Sequence, residues 1–134
     1  MNCLYCYKLL SEQEQDFHAS CSKKIFGQSA PPLLPYSESD IEHLAKEVIQ
    51  SQVAVTGVQP KLSVQISGKQ QEGANGRFTL VGLWGGYILK PPTSRYPQLP
   101  EVEDLTMRLA EVAKIKTAPH SLIRLRNGRL AYIT

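Results

Sequence analysis

The sequence predicts an α+β domain, an antiparallel sheet with helices on one face, preceded by a small Cys/His knuckle. Three observations carry this expectation. All three cysteines lie within the first 21 residues. Two segments repeat apolar residues at helical spacing. Stretches between and after them alternate with a period of two, as half-buried strands do. A chain of 134 residues holds one compact domain plus an appendage, here a knuckle at 1–30, a proline-rich linker at 31–37 and a lobe at 38–134. Hydrophobic residues at 42% exclude a wholly disordered chain.

Taken in order, the knuckle segment is too short to bury a core of its own and needs a staple. Ala30-Pro31-Pro32-Leu33-Leu34-Pro35 should be extended, because each residue before a proline is pushed out of the helical region. Ser39 as cap with Glu42 three positions on predicts a helix start. Ile41, Leu44, Ala45, Val48 and Ile49 give that helix, near 40–50, one apolar stripe. Leu62, Val64 and Ile66 alternate with Lys61, Ser63 and Gln65 as a strand, and 77–82 is its hairpin partner across a polar loop. Tyr87-Ile88-Leu89-Lys90 is a third strand, closed by Pro91-Pro92. Val102, Leu105, Leu109, Val112 and Ala113 mark a second amphipathic helix, with Glu101, Glu103 and Asp104 in its first turn, where the helix dipole favours acids. Asn127-Gly128 predicts a two-residue hairpin turn between the last two strands.

Two patterns could carry chemistry. Cys3-x2-Cys6, eleven intervening residues, then His18-x2-Cys21 uses every cysteine and has the spacing of a closed, structural Cys3His zinc site. The bland alternative is a set of buried apolar thiols beside a solvated histidine. An odd cysteine count argues against a disulfide framework, as does the cytoplasmic location expected from the lack of a secretory signal at Met1-Asn2-Cys3. No apolar run approaches a membrane span. The second pattern is Lys90 at the end of a short apolar strand, with Glu103 a dozen residues on to neutralise it. Before it stands Val55-Thr56-Gly57-Val58-Gln59-Pro60-Lys61, whose Gly57 allows a turn with outward amides of the kind that cradle phosphate.

The order of these segments, followed by Met107-Arg108-Leu109-Ala110 and Pro119, resembles the HipA family of toxin-antitoxin Ser/Thr kinases, and the Cys3/Cys6 start resembles that of some short HipA-like proteins of the HipT type. The resemblance implies a kinase N-lobe-like fold. It implies nucleotide-binding roles for Gly57, Val58, Gln59 and Lys61 in a phosphate-covering loop, for Lys90 on the ATP phosphates, and for Glu103 as its helix partner. Thr56 falls where the family carries an autophosphorylated serine, and Ala54 stands where short members carry a second one. Family kinases supply the catalytic base and magnesium ligands from a following C-lobe, so no catalytic residue is expected between 1 and 134, and ATP with Mg is the cofactor of the intact kinase. Antitoxin proteins of the HipB-like or HipS-like kind and a protein substrate are the implied partners.

Charge separates this reading from its alternative, a non-catalytic zinc-knuckle module contacting protein or nucleic acid. Residues 1–52 hold four Lys/Arg against seven Asp/Glu, a net of −3, and residues 53–134 hold eleven against five, a net of +6. A basic half can meet a phosphate or a nucleic-acid backbone. With only 7% aromatics, not interleaved with the basic residues, stacking platforms for bases are missing and direct nucleic-acid binding is not expected.

Overall fold

A computed structural model describes residues 1–41, 43–44, 61–68, 76–81 and 85–134. The loop containing Thr56, Gly57, Val58 and Gln59, and most of the first expected lobe helix, lie outside the described residues. Among those described, no helix is long and apolar enough to cross a membrane.

The chain opens with a tight loop. Asn2 bridges to Leu9, the Cys3 amide donates to the Lys8 carbonyl at 2.9 Å, and the Tyr7 amide donates back to the Cys3 carbonyl at 2.9 Å. Helix α1 (Ala19–Phe26) follows and buries Cys21, Ser22, Ile25 and Phe26 along one face. It stops at Gly27, whose φ of 71° is the left-handed conformation that glycine adopts without a Cβ penalty. Lys23 and Lys24 in its last turn suit the carbonyl end of the helix.

The proline-rich stretch is extended and pairs locally: the Leu33 amide donates to Gly76, and the Phe78 amide donates to Leu33, both at 2.9 Å. Residues 38–41 then begin a helix. Its capping box is Ser37/Asp40, two residues before the expected cap; Ser39 already lies in the helix, and Glu42 lies outside the described residues. The Ser37 amide donates to the Asp40 carboxylate at 2.7 Å and the Asp40 amide donates to Ser37 Oγ at 3.3 Å. The run holds two serines, Ser37 and Ser39, and so offers more than one cap.

Five strands, β1 (Leu62–Ser67), β2 (Arg77–Leu80), β3 (Tyr87–Lys90), β4 (Ser121–Arg124) and β5 (Leu130–Ile133), form one antiparallel sheet in the order β2-β1-β3-β5-β4. Register aligns Leu62 with Leu89 and Leu89 with Ile133, so these side chains share one face, and Lys90 and Tyr132, also paired, share the other. Phe26 of α1 meets Phe78 edge-on at 5.8 Å and lies 6.2 Å from Tyr87, on the Leu89 face. Helix α2 (Leu99–Val112) reaches Lys90 on the opposite face through Glu103. The α+β class is as expected, with helices at both faces instead of one. The knuckle and sheet share a single core that runs from Cys3, Phe17 and Phe26 to Phe78, Leu89 and Ile133.

The hairpin at Asn127-Gly128 forms, but with three residues in its loop. The Gly128 amide donates to Leu125 at 2.9 Å, the Leu125 amide donates to Arg129 at 2.8 Å, and Gly128 takes φ 87°. That is a turn followed by a left-handed residue, the usual three-residue alternative to the tighter turn.

Helix α2 departs furthest from expectation. Its apolar stripe faces outward: Val102, Leu105, Leu109 and Val112 are each at least 55% exposed, and Asp104 is fully buried. The face turned inward meets Lys90, His120 and Tyr7, groups that need acceptors, so a carboxylate there is worth more than an apolar contact. Because the helix starts at Leu99, Glu103 and Asp104 stand in its second turn, and only Glu101 is in the first.

Candidate functional site

Lys90 ends β3 and its ammonium pairs with the Glu103 carboxylate, both side chains about a quarter exposed. Its Nζ also lies 5.3 Å from the centroid of the Tyr132 ring, across the β3–β5 register. Lys61 precedes Leu62, the register partner of Leu89, and so stands exposed at the same end of the sheet. Two cations therefore stand at one sheet end, Lys90 held by a carboxylate and an aromatic face and Lys61 exposed.

Behind Glu103, the buried Asp104 and His120 anchor a network that reaches the surface at Tyr7. Asp104 accepts hydrogen bonds from Tyr7 Oη, from Arg108 Nε at 3.0 Å and from His120 Nδ1 at 2.8 Å. His120 stacks on Tyr132 with ring centroids 6.0 Å apart and turns Nε2 to within 3.3 Å of Glu111 Oε1. Burial, then the hydrogen bond and charge of Asp104, push the Tyr7 phenol up to about 12. Burial opposes the Arg108 charge, but the neighbouring Asp104 and Tyr7 outweigh it and raise the guanidinium further. Sequence reasoning did not find this network. Asp104, Arg108 and Glu111 follow one another at helical spacing, a visible polar stripe that could have marked it.

The second centre is the Cys/His cluster. The Sγ atoms of Cys3, Cys6 and Cys21 and one ring nitrogen of His18 all lie within 4.8 Å of one another. Cys6 Sγ is 3.4 Å and Cys21 Sγ 3.8 Å from His18 Nδ1. His18 Nε2 meets the Leu9 carbonyl at 3.0 Å, which assigns the ring proton to Nε2 and leaves the Nδ1 lone pair facing the thiols. Burial pushes the Cys3 thiol up, but backbone amides of Cys6, His18 and Tyr5 outweigh it and bring the thiol down to about 7. Burial, then hydrogen bonding to Cys6 and the charge at Cys3, raise Cys21 to about 12. All four residues singled out by spacing are therefore brought together, with Cys3 and Cys21 buried.

A groove of about 610 Å³ lies elsewhere, between residues 13–19, the proline-rich stretch and β4, with Asp16, Arg124 and Arg126 among its lining. It includes neither Lys90 nor Glu103.

A short antiparallel sheet whose lysine-ended strand is clasped by a glutamate of the next helix defines an α+β domain. The family follows from sequence comparison: a model of the HipA-like C-terminal domain matches residues 53–134. The chain belongs to this HipA-like family. No curated protein matches it.

Proposed function

We propose that the segment binds the phosphates of ATP as the N-lobe of a HipA-like serine/threonine protein kinase of a toxin-antitoxin system. The observation that carries this reading is the Lys90–Glu103 ion pair at the end of β3, with the exposed Lys61 at the same end of the sheet. Glutamate pairing holds a strand lysine in one rotamer, so its ammonium meets a phosphate without first being ordered. The loop with Gly57, Val58 and Gln59 would cover the phosphates, and phosphorylation of Thr56 would add negative charge beside them and oppose nucleotide binding. Phosphoryl transfer also needs magnesium, its ligands and a base, and we assign none of these to residues 1–134. A cytoplasmic setting, a protein substrate and antitoxin partners of the HipB-like or HipS-like kind belong to the same reading.

The non-catalytic nucleic-acid alternative draws little support from the surface. Of the eleven Lys/Arg in residues 53–134, Lys90, Arg108, Arg124, Arg126 and Arg129 are all engaged by carboxylates. Cations already paired release fewer counterions on meeting a nucleic acid.

Calorimetric titration with ATP and Mg tests the reading. Lys90→Ala should weaken binding about tenfold or more, the usual scale for one charge-assisted hydrogen bond. Equal affinity in wild type and variant, or no ATP binding by the wild type, would overturn it.

A further inference from the structure

The segment that carries Cys3 and Cys6 also touches α2 and β4, through Leu4, Tyr5 and Tyr7. Leu4 offers its carbonyl to Ser121 Oγ at 3.2 Å. Tyr5 and Tyr7 place their rings 5.4 and 4.8 Å beneath the Arg108 guanidinium, and Tyr7 Oη donates to Asp104. Tyr7 does so with φ at 61°, a left-handed conformation that a non-glycine residue adopts only against a steric penalty. A tyrosine held there needs its neighbours fixed, and its immediate neighbour is Cys6.

For a tetrahedral zinc with sulfur near 2.3 Å and nitrogen near 2.0–2.1 Å, the sulfur–nitrogen edge is roughly 3.6 Å. The two observed edges to His18 Nδ1, 3.4 and 3.8 Å, bracket it. The Leu9 carbonyl orients the ring from behind, as the outer partner of a metal-bound histidine does. These donors suit a closed site with no position for a reacting molecule.

We propose that Cys3, Cys6, His18 through Nδ1, and Cys21 hold one structural zinc ion, and that its loading fixes Tyr7 on Asp104 and so sets the position of α2. Metal binding releases the thiol protons to solvent. Glu103 is the residue before Asp104, so the metal loop props the helix that carries the partner of Lys90. The inference stands whether or not Lys90 meets a nucleotide, and its readouts use none.

The test takes the full chain, purified without added metal and then reconstituted with Zn²⁺. Elemental analysis should give about one equivalent. Co²⁺ substitution should give the intense visible bands of a tetrahedral site with thiolate-to-metal charge transfer. Cys21→Ser should abolish both. Less than half an equivalent of zinc after reconstitution, or an octahedral cobalt spectrum, would overturn the site. Hydrogen exchange of the α2 amides tests the coupling in the wild-type chain, which avoids variants that fail to fold. Chelation should speed that exchange about tenfold or more. Tyr7→Phe, which keeps all four ligands, should retain the zinc yet show the same faster exchange. Unchanged α2 exchange on chelation, or in a zinc-loaded Tyr7→Phe, would overturn the coupling.

Discussion

The Cys/His cluster and the Lys90 centre are built in opposite ways. The cluster gathers its four side chains from within 19 residues, Cys3 to Cys21, and the local chain does most of the placing: a tight loop, a histidine at the start of α1 and a cysteine one turn later. The Lys90 centre draws on β3, α2, β5 and the residue preceding β4, with Tyr7 added from the far end of the chain. The first is a local device and the second a tertiary one, and the contact between Tyr7 and Asp104 is where they meet. Their failures should therefore be unequal: losing the first should loosen the second, and losing Lys90 should leave the first intact.

Metal removal is the largest expected effect. Structural zinc in small domains contributes folding free energy directly, so a chelated chain should lose about 5 kcal/mol or more of stability, read as a drop in the denaturation midpoint. A midpoint unchanged by chelator would mean that the local device does not carry the N-terminal segment. Asp104→Ala comes next. It would leave the buried His120 without its acceptor and the partly exposed Arg108 without its carboxylate, and free the Tyr7 hydroxyl. Removing one member of a buried charged network costs about 3–5 kcal/mol. Zinc should stay bound in that variant, because none of its ligands is touched. Loss of both stability and zinc would show that the knuckle depends on α2 as much as α2 depends on the knuckle.

The contrast also explains what was legible in the sequence. Cysteine and histidine spacing reports local geometry, and Cys3, Cys6, His18 and Cys21 could be singled out before any fold was known. Period-two alternation likewise located β1, and Asn127-Gly128 located the last hairpin, although the left-handed Gly128 lengthens the loop to three residues. Periodicity in α2 marked a stripe without saying which side the sheet would cover. Val102, Leu105, Leu109 and Val112 read as core and are exposed, whereas Asp104 read as a helix-dipole residue and is buried. Hydrophobic pattern cannot foresee this, because the choice depends on partners from distant elements, His120 and Tyr7, that hold unsatisfied donors. Lys90 and Glu103 were visible as a pair for a related reason: a lysine closing an apolar strand needs an acid nearby. Gly57, Val58, Gln59 and Thr56 lie outside the described residues, and their roles rest on the proposed function alone.

A smaller effect separates the two phenols that border the tertiary device. Tyr7 and Tyr132 are both raised to about 12, Tyr132 by burial and then by the negative charge of Glu103. A phenol whose folded value lies above its unfolded value of 10 contributes stability that is complete below pH 10. That contribution is lost as pH rises from 10 through 12. Stability should therefore fall over that alkaline window by roughly 2–3 kcal/mol for the buried Tyr132, and by less for Tyr7, whose partly exposed ring is screened by solvent. Tyr132→Phe should flatten part of the fall and remove one of the late steps, to which Tyr7 and Tyr87, itself raised by burial, also contribute, in a spectroscopic phenolate titration. A variant with the same late steps as wild type would place the perturbed phenol elsewhere.

The smallest effect on stability is expected at the residue with the largest assigned role. Lys90 and Glu103 are about a quarter exposed, and a partly solvated ion pair contributes about 1 kcal/mol or less once side-chain ordering is counted. Lys90→Ala should accordingly shift the denaturation midpoint little and leave zinc content unchanged, while weakening ATP binding about tenfold. A functional cation is not needed by the fold, since Glu103 can turn to solvent when its partner is gone. A structural cation is needed: Arg108, whose charge answers a fully buried carboxylate, cannot be removed without leaving that carboxylate short of a donor. If Lys90→Ala destabilises the chain as much as a change at Asp104 does, the strand lysine belongs to the buried network and not to a ligand, and the two cations have exchanged roles.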